Sequence, residues 1–168
     1  MAISRILIFV LGLTIGSLWA QPAFIPVSIE ELCGMSDVIV DATVDRVEPT
    51  RLNVARKLET PVAIAVTTVL KGPAGLKTLE LIEPGGKIGT RNEVYYGQLI
   101  PKEGERYVLF LTLGESGKYA ALGGLHGHYR VVNGRIVVHP VMPRILKTGF
   151  NDAPVEKLLS EVRGQLAK

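Results

Sequence analysis

Stretches in which apolar and polar residues alternate with a period of two recur along this chain, and they constrain its fold more than any other feature. Val38, Val40, Ala42 and Val44 share one face of such a stretch, and Asp37, Asp41 and Asp45 occupy the other, with Ile39 and Thr43 between them. That pattern predicts a strand with a buried face and a wet face. Val47 breaks the phase, so a bulge or strand end is expected near Asp45 and Arg46. Residues 62–70, rich in Val, Ile and Thr, predict a second strand with Val62, Ile64, Val66, Thr68 and Leu70 on one face. Residues 76–82 predict a third. Residues 106–113 return to firm alternation, with Tyr107, Leu109, Leu111 and Leu113 together. Shorter strands are expected at residues 94–96 and 118–122. Asn133-Gly134 separates residues 129–132 from 135–139, and that dipeptide favours the positive φ angles of a type I′ hairpin turn. Residues 49–60 are charged and irregular and predict a loop.

Two helices flank these strands. Ser28-Ile29-Glu30-Glu31 reads as a capping box opening a short helix to about Met35, which has to bury Ile29, Leu32 and Cys33 to hold its shape. Near the C-terminus, Asp152 is the expected cap of a helix whose Val155, Leu158, Leu159, Val162 and Leu166 form one apolar stripe. The expected fold is therefore mainly β. It is a small antiparallel OB-like barrel with a short N-terminal helix and a C-terminal amphipathic helix that closes one end.

Residues 1–20 read as a secretory signal peptide. Arg5 supplies the positive start, residues 6–15 are almost uninterruptedly apolar, Gly16 and Ser17 loosen the helix, and Ala20 suits the peptidase pocket. The apolar stretch is short for a bilayer crossing, and no basic stop-transfer cluster follows; an uncleaved anchor is the other reading. Cleavage leaves residues 21–168 as a single β-barrel-like domain in the periplasm or outside the cell, with no stable membrane insertion. It removes Trp19, the only tryptophan, so the mature protein is expected to fluoresce through tyrosine alone. It also removes Arg5, taking 19 basic residues to 18 against 16 acidic ones. That small surplus does not favour nucleic acid as a partner. Cys33, the single cysteine, has no internal disulfide partner; its apolar neighbours favour burial, and an intermolecular bond is the alternative.

Several short blocks occur in order: Ser36-Asp37-Val38-Ile39-Val40, Val69-Leu70-Lys71-Gly72, Pro84-Gly85-Gly86, Gly104-Glu105-Arg106-Tyr107-Val108-Leu109-Phe110-Leu111, and Gly123-Gly124-Leu125-His126-Gly127-His128-Tyr129-Arg130-Val131. This series is similar to a group of uncharacterised secreted bacterial β-rich proteins. Its first half also resembles the netrin-like, metalloproteinase-inhibitor type of OB barrel, in which a long first strand leads to a second ending in a turn like Val69-Leu70-Lys71-Gly72. The resemblance implies a fold, not an inhibitor. Such inhibitors chelate the protease zinc through an N-terminal cysteine, and the mature chain here would start at Gln21 without the family's disulfides.

His126 and His128 have metal-ligand character. On a strand, His-x-His places both rings on one face about 6.6 Å apart along the backbone, which suits zinc or copper if a third ligand arrives; His139 is the only other histidine. A surface turn is the competing reading. Asp37, Asp41 and Asp45 stand roughly 13 Å apart in succession, too far to share a proton or chelate jointly, and read as a solvated face. Gly85-Gly86-Lys87-Ile88-Gly89-Thr90 lacks phosphate-loop spacing and reads as a glycine-hinged loop over the barrel mouth. Gly114-Glu115-Ser116-Gly117 lacks the order of a nucleophile elbow, and no thiol-protease signature surrounds Cys33. With no coherent catalytic set and no implied cofactor, the expectation is a non-catalytic exported domain that binds another exported protein. Residues 85–101 are its expected contact, with Tyr95 and Tyr96 as anchors; that both tyrosines instead cover the core is the competing reading. A metal-binding protein or metal-dependent enzyme using His126 and His128, and a structural envelope component, are the alternatives.

Overall fold

The computed structural model describes residues 27–95, 97–114, 116–139 and 149–168. The signal read at residues 1–20, and Tyr96, lie outside them. The first element among the described residues is helix α1 (Ile29–Met35), and the capping box is present: the Ser28 hydroxyl accepts from the Glu31 amide at 3.1 Å, and the Glu31 carboxylate accepts from the Ser28 amide at 2.7 Å.

Strands β1 (Val38–Val47), β2 (Arg51–Leu52), β3 (Leu58–Lys71) and β4 (Thr78–Pro84) follow. A small hairpin, β5 (Gly86–Ile88) and β6 (Arg91–Glu93), precedes β7 (Arg106–Leu113) and β8 (Tyr119–Ala121). The 3-10 turn Gly124–Gly127 leads into β9 (His128–Val132), β10 (Arg135–Val137) and finally helix α2 (Val155–Leu166). Strands β1, β3, β4, β8 and β7 close into a small five-stranded barrel, in which β7 returns to pair with β1. The barrel is not wholly antiparallel as expected: β4 and β8 close it in parallel, with Leu81 opposite Tyr119.

Strands β1 and β7 each feed two cores. Val38, Val40, Ala42 and Val44 face the barrel interior with Val62, Ile64, Leu79, Leu81, Tyr107, Leu109 and Leu111. Between them Ile39, Val108 and Phe110 point outward and pack beneath α1 and α2 through Leu32, Leu158, Leu159 and Val162. Asp41 therefore does not lie on a solvated face. It is 3 % exposed and takes a bidentate bond from Arg106 at 2.8 and 2.6 Å, because the outward face of β1 is itself covered.

Other departures are local. The expected bulge near Arg46 is present as a register shift between Val44 and Arg46. A second irregularity pairs Asp41 with Thr68 but Ala42 with Val66, so the face of β3 flips. Val62, Ile64 and Val66 face inward as expected, whereas Val69 joins the interior and Leu70 the helix-covered layer. Residues 49–60 are not all loop: β2 turns back through Asn53–Arg56 to pair with the start of β3. Val94 and Tyr95 form no strand; the hydrogen-bonded hairpin lies just before them. The Asn133-Gly134 turn has φ of 51° and 74°, as a type I′ turn needs. Pro154, not Asp152, occupies the N-cap of α2, and Asp152 pairs instead with Arg135 at 2.7 Å.

Candidate binding site

The edge of β7 opposite β1 is shared. Residues 111–113 pair with β8, and residues 106–109 pair with β9. Since β8 is only three residues long, it leaves the end of β4 facing the start of β9, and no backbone ladder joins those two strands. The turn that swings the chain from β8 to β9 depends on Gly127. A Cβ there would lie 2.7 Å from the Phe110 carbonyl oxygen and 2.8 Å from the Leu122 amide nitrogen, both immobile backbone atoms. This turn delivers His128 opposite Leu109, with its ring on the interior side.

Side chains bridge the gap that the backbone leaves. His128 Nε2 meets Glu83 Oε1 at 3.0 Å, with side-chain exposures of 0 % and 3 %. Nδ1 lies 2.9 Å from the Gly124 carbonyl oxygen. A carbonyl only accepts, so Nδ1 carries a proton, and the hydrogen bond between Nε2 and the Glu83 carboxyl needs a second proton between them. Burial opposes the charged ring, but Glu83 and the Gly124 carbonyl outweigh it and raise the His128 pKa. The result is a histidine–carboxyl pair sealed inside the barrel wall.

Tyr107 stands edge-on to the His128 ring, with centroids 5.9 Å apart, and its hydroxyl donates to Glu105 at 2.5 Å. Burial drives the Tyr107 phenol far above its ordinary range, so it stays a donor. Glu105 also accepts from the Lys102 amide at 3.0 Å and forms an ion pair with Arg130 at 2.9 Å. Burial opposes its ionisation, yet these donors prevail and hold the carboxyl below the usual range. Beside this chain of polar groups opens a cavity of about 220 Å³. Leu99 and Ile100 wall it on one side, Val137 and Val138 on another; Lys102 and His139 also line it.

Hydrogen bonds hold residues 85–95 and 97–101 at several points. The Gly85 amide donates to the Leu58 carbonyl at 2.7 Å, and its carbonyl accepts from Thr60, whose hydroxyl also bonds Thr50. The Glu93 carboxylate takes the Leu58 amide at 2.9 Å and the Tyr95 hydroxyl at 3.1 Å. The Leu125 amide donates to the Gly97 carbonyl. Ile88, Val94 and Tyr95 are nevertheless exposed, Val94 at 79 %.

The expected metal pair does not share a strand face. His126 sits in the 3-10 turn, where burial lowers its pKa, and His128 begins β9 with both ring nitrogens engaged. Among the described residues, no three His, Cys, Asp or Glu side chains are grouped to hold a metal ion. Cys33 is buried, as expected. Glu83, Glu105 and Arg130 were not singled out by the sequence. Glu83 follows Leu79 and Leu81 on the inward parity of β4, which is the one signal that marks it. No protein-family model matches the chain, and no curated protein is significantly similar to it.

Proposed function

We propose that the chain is a non-catalytic exported binding domain, periplasmic or extracellular, whose partner is another exported protein. The observation that carries this reading is the exposure of Ile88, Val94 and Tyr95 on a segment held by hydrogen bonds at its base. A pinned segment presents apolar and aromatic area at little ordering cost, which is what protein contacts draw on. The polar chemistry nearby points the same way. Glu83 and His128 saturate one another inside the wall, and Glu105 is occupied by Tyr107, Lys102 and Arg130, so neither carboxylate is poised to move a substrate proton.

The test takes the protein from the exported fraction of producing cells, with its N-terminus read by mass spectrometry. Wild type and a Val94→Asp, Tyr95→Ala variant are each used to capture proteins from exported fluid. The expected result is a start at Gln21 and a discrete partner retained by wild type and lost by the variant, at unchanged thermal unfolding temperature. Equal capture by both proteins would overturn the binding assignment, and a chain found only inside the cell would overturn export.

A further inference from the structure

We infer that the cavity at the barrel mouth is a binding site for a carboxylate carried on a compact apolar group, such as a small monocarboxylic acid or the C-terminal residue of a polypeptide with an apolar side chain. The inference deepens the reading of the domain as a binder and rests on that reading, though not on the exposed segment around Tyr95.

Size sets the first limit. A cavity of about 150 Å³ lined by aliphatic and aromatic side chains accepts benzene. At about 220 Å³ this one has room for a phenyl or branched aliphatic group and a few atoms more, and not for a nucleotide or a sugar chain. Leu99, Ile100, Val137 and Val138 supply apolar walls, so the body of the ligand is hydrocarbon.

Charge sets the second limit. The acidic group at the cavity is Glu105, and both its oxygens are already engaged: Oε1 by Arg130, Oε2 by the Tyr107 hydroxyl and the Lys102 amide. Arg130 pairs with Glu105 through one nitrogen, and its side chain stays 44 % exposed, so the rest of the guanidinium is open to a ligand. The Lys102 ammonium adds a second cation to the lining. The buried pair of Glu83 and His128 is neutral as a unit. Among the described lining residues two cations stand against one carboxylate already engaged, so the local charge favours an incoming anion, which both cations can bond. An ammonium ligand would meet Arg130 and Lys102 and be repelled.

Purified wild-type protein, labelled with nitrogen-15, is titrated with 3-phenylpropionate, its amide and the corresponding amine, and separately with a short peptide ending in phenylalanine as free acid or as amide. The acid is expected to move the amide resonances of Ile100, Arg130 and Val137. The amide and the amine are expected to bind about tenfold more weakly or worse, the factor that a charge-assisted hydrogen bond contributes. Lys102→Gln should weaken the acid, and Val137→Asp, at a side chain that is partly exposed and so tolerant of change, should abolish its binding. Preference for the peptide acid identifies a chain terminus as the ligand; preference for the small acid identifies a metabolite. The inference is overturned if neither acid binds at millimolar concentration, if the amine binds as well as the acid, or if Val137→Asp leaves binding intact. Because these probes bypass the exposed segment, the site can fail while protein capture succeeds, and the reverse.

Discussion

Val40 and Leu109 point into the barrel, while their chain neighbours Ile39 and Phe110 point out beneath two helices. The two cores thus share strands but differ in how they are finished. The interior closes on itself, strand against strand, and its one polar pair is sealed. The outer layer needs lids: α1 is seven residues long and cannot persist alone, so it relies on α2 and on an aromatic series. In that series Phe110 meets Tyr129 at 5.6 Å and Tyr129 meets Phe150 at 6.2 Å, each edge to face. Its polar pair, Asp41 with Arg106, is half open to solvent on the arginine side. The difference teaches that one β-strand can be central to two cores when both its faces are covered, and that burial of its polar residues then follows from the cover, not from the strand.

The largest expected effect comes from cutting either core, the outer layer at Phe110 or the interior at Leu109. Phe110→Ala should cost about 3–5 kcal/mol and Leu109→Ala about 2–5 kcal/mol, since each leaves a cavity in a fully buried site. Because β1 and β7 serve both cores, urea unfolding of Phe110→Ala should show helix circular dichroism and tyrosine fluorescence lost in one transition. Two separated transitions would mean that the layers are independent.

Next come the polar pairs. Glu83→Gln breaks a fully buried pair at its carboxyl and should cost about 3–5 kcal/mol at neutral pH. The same pair gives the interior a pH signature. The folded-state pKa of His128 is raised above its unfolded value of about 6.5, so its contribution is complete below that value and is lost as pH climbs through the folded one. Denaturation measured from pH 5 to pH 10 should therefore show wild type losing stability on the alkaline side, with Glu83→Gln lacking that loss. A parallel decline in both proteins would rule out this pair as its source. The smallest effect belongs to the outer pair. Asp41→Asn should cost only about 1 kcal/mol, because Arg106 stays 39 % exposed and water screens it.

Much of the interior was legible. Alternation named Val38, Val40, Ala42 and Val44 together, and Tyr107, Leu109 and Leu111 together, because period two is a local property of the backbone. The hairpin at Asn133-Gly134 and the Ser28 cap were legible for the same reason. What escaped depends on distant partners. Asp41 looked wet because nothing in its own segment announces that Arg106, 65 residues later, will bond it. The flip of β3 after Val66 turns on a single extra residue in the pairing, which composition does not mark. At the site, His128 was visible as chemistry but not as geometry. Its role is fixed by Glu83, 45 residues earlier, and by a turn whose tightness comes from Gly127 meeting the Phe110 carbonyl.

The bridge between Glu83 and His128 also has a consequence in time. It spans 45 residues and joins two strands with no ladder between them, so it can form only after β7 has docked and β9 has paired with it. Such a contact belongs on the native side of the folding barrier, where its strength sets how slowly the barrel opens and hardly affects how fast it assembles. Resistance to opening governs the lifetime of a domain among proteases wherever cleavage outruns reclosing. One sealed side-chain pair would then act as the timer on that lifetime.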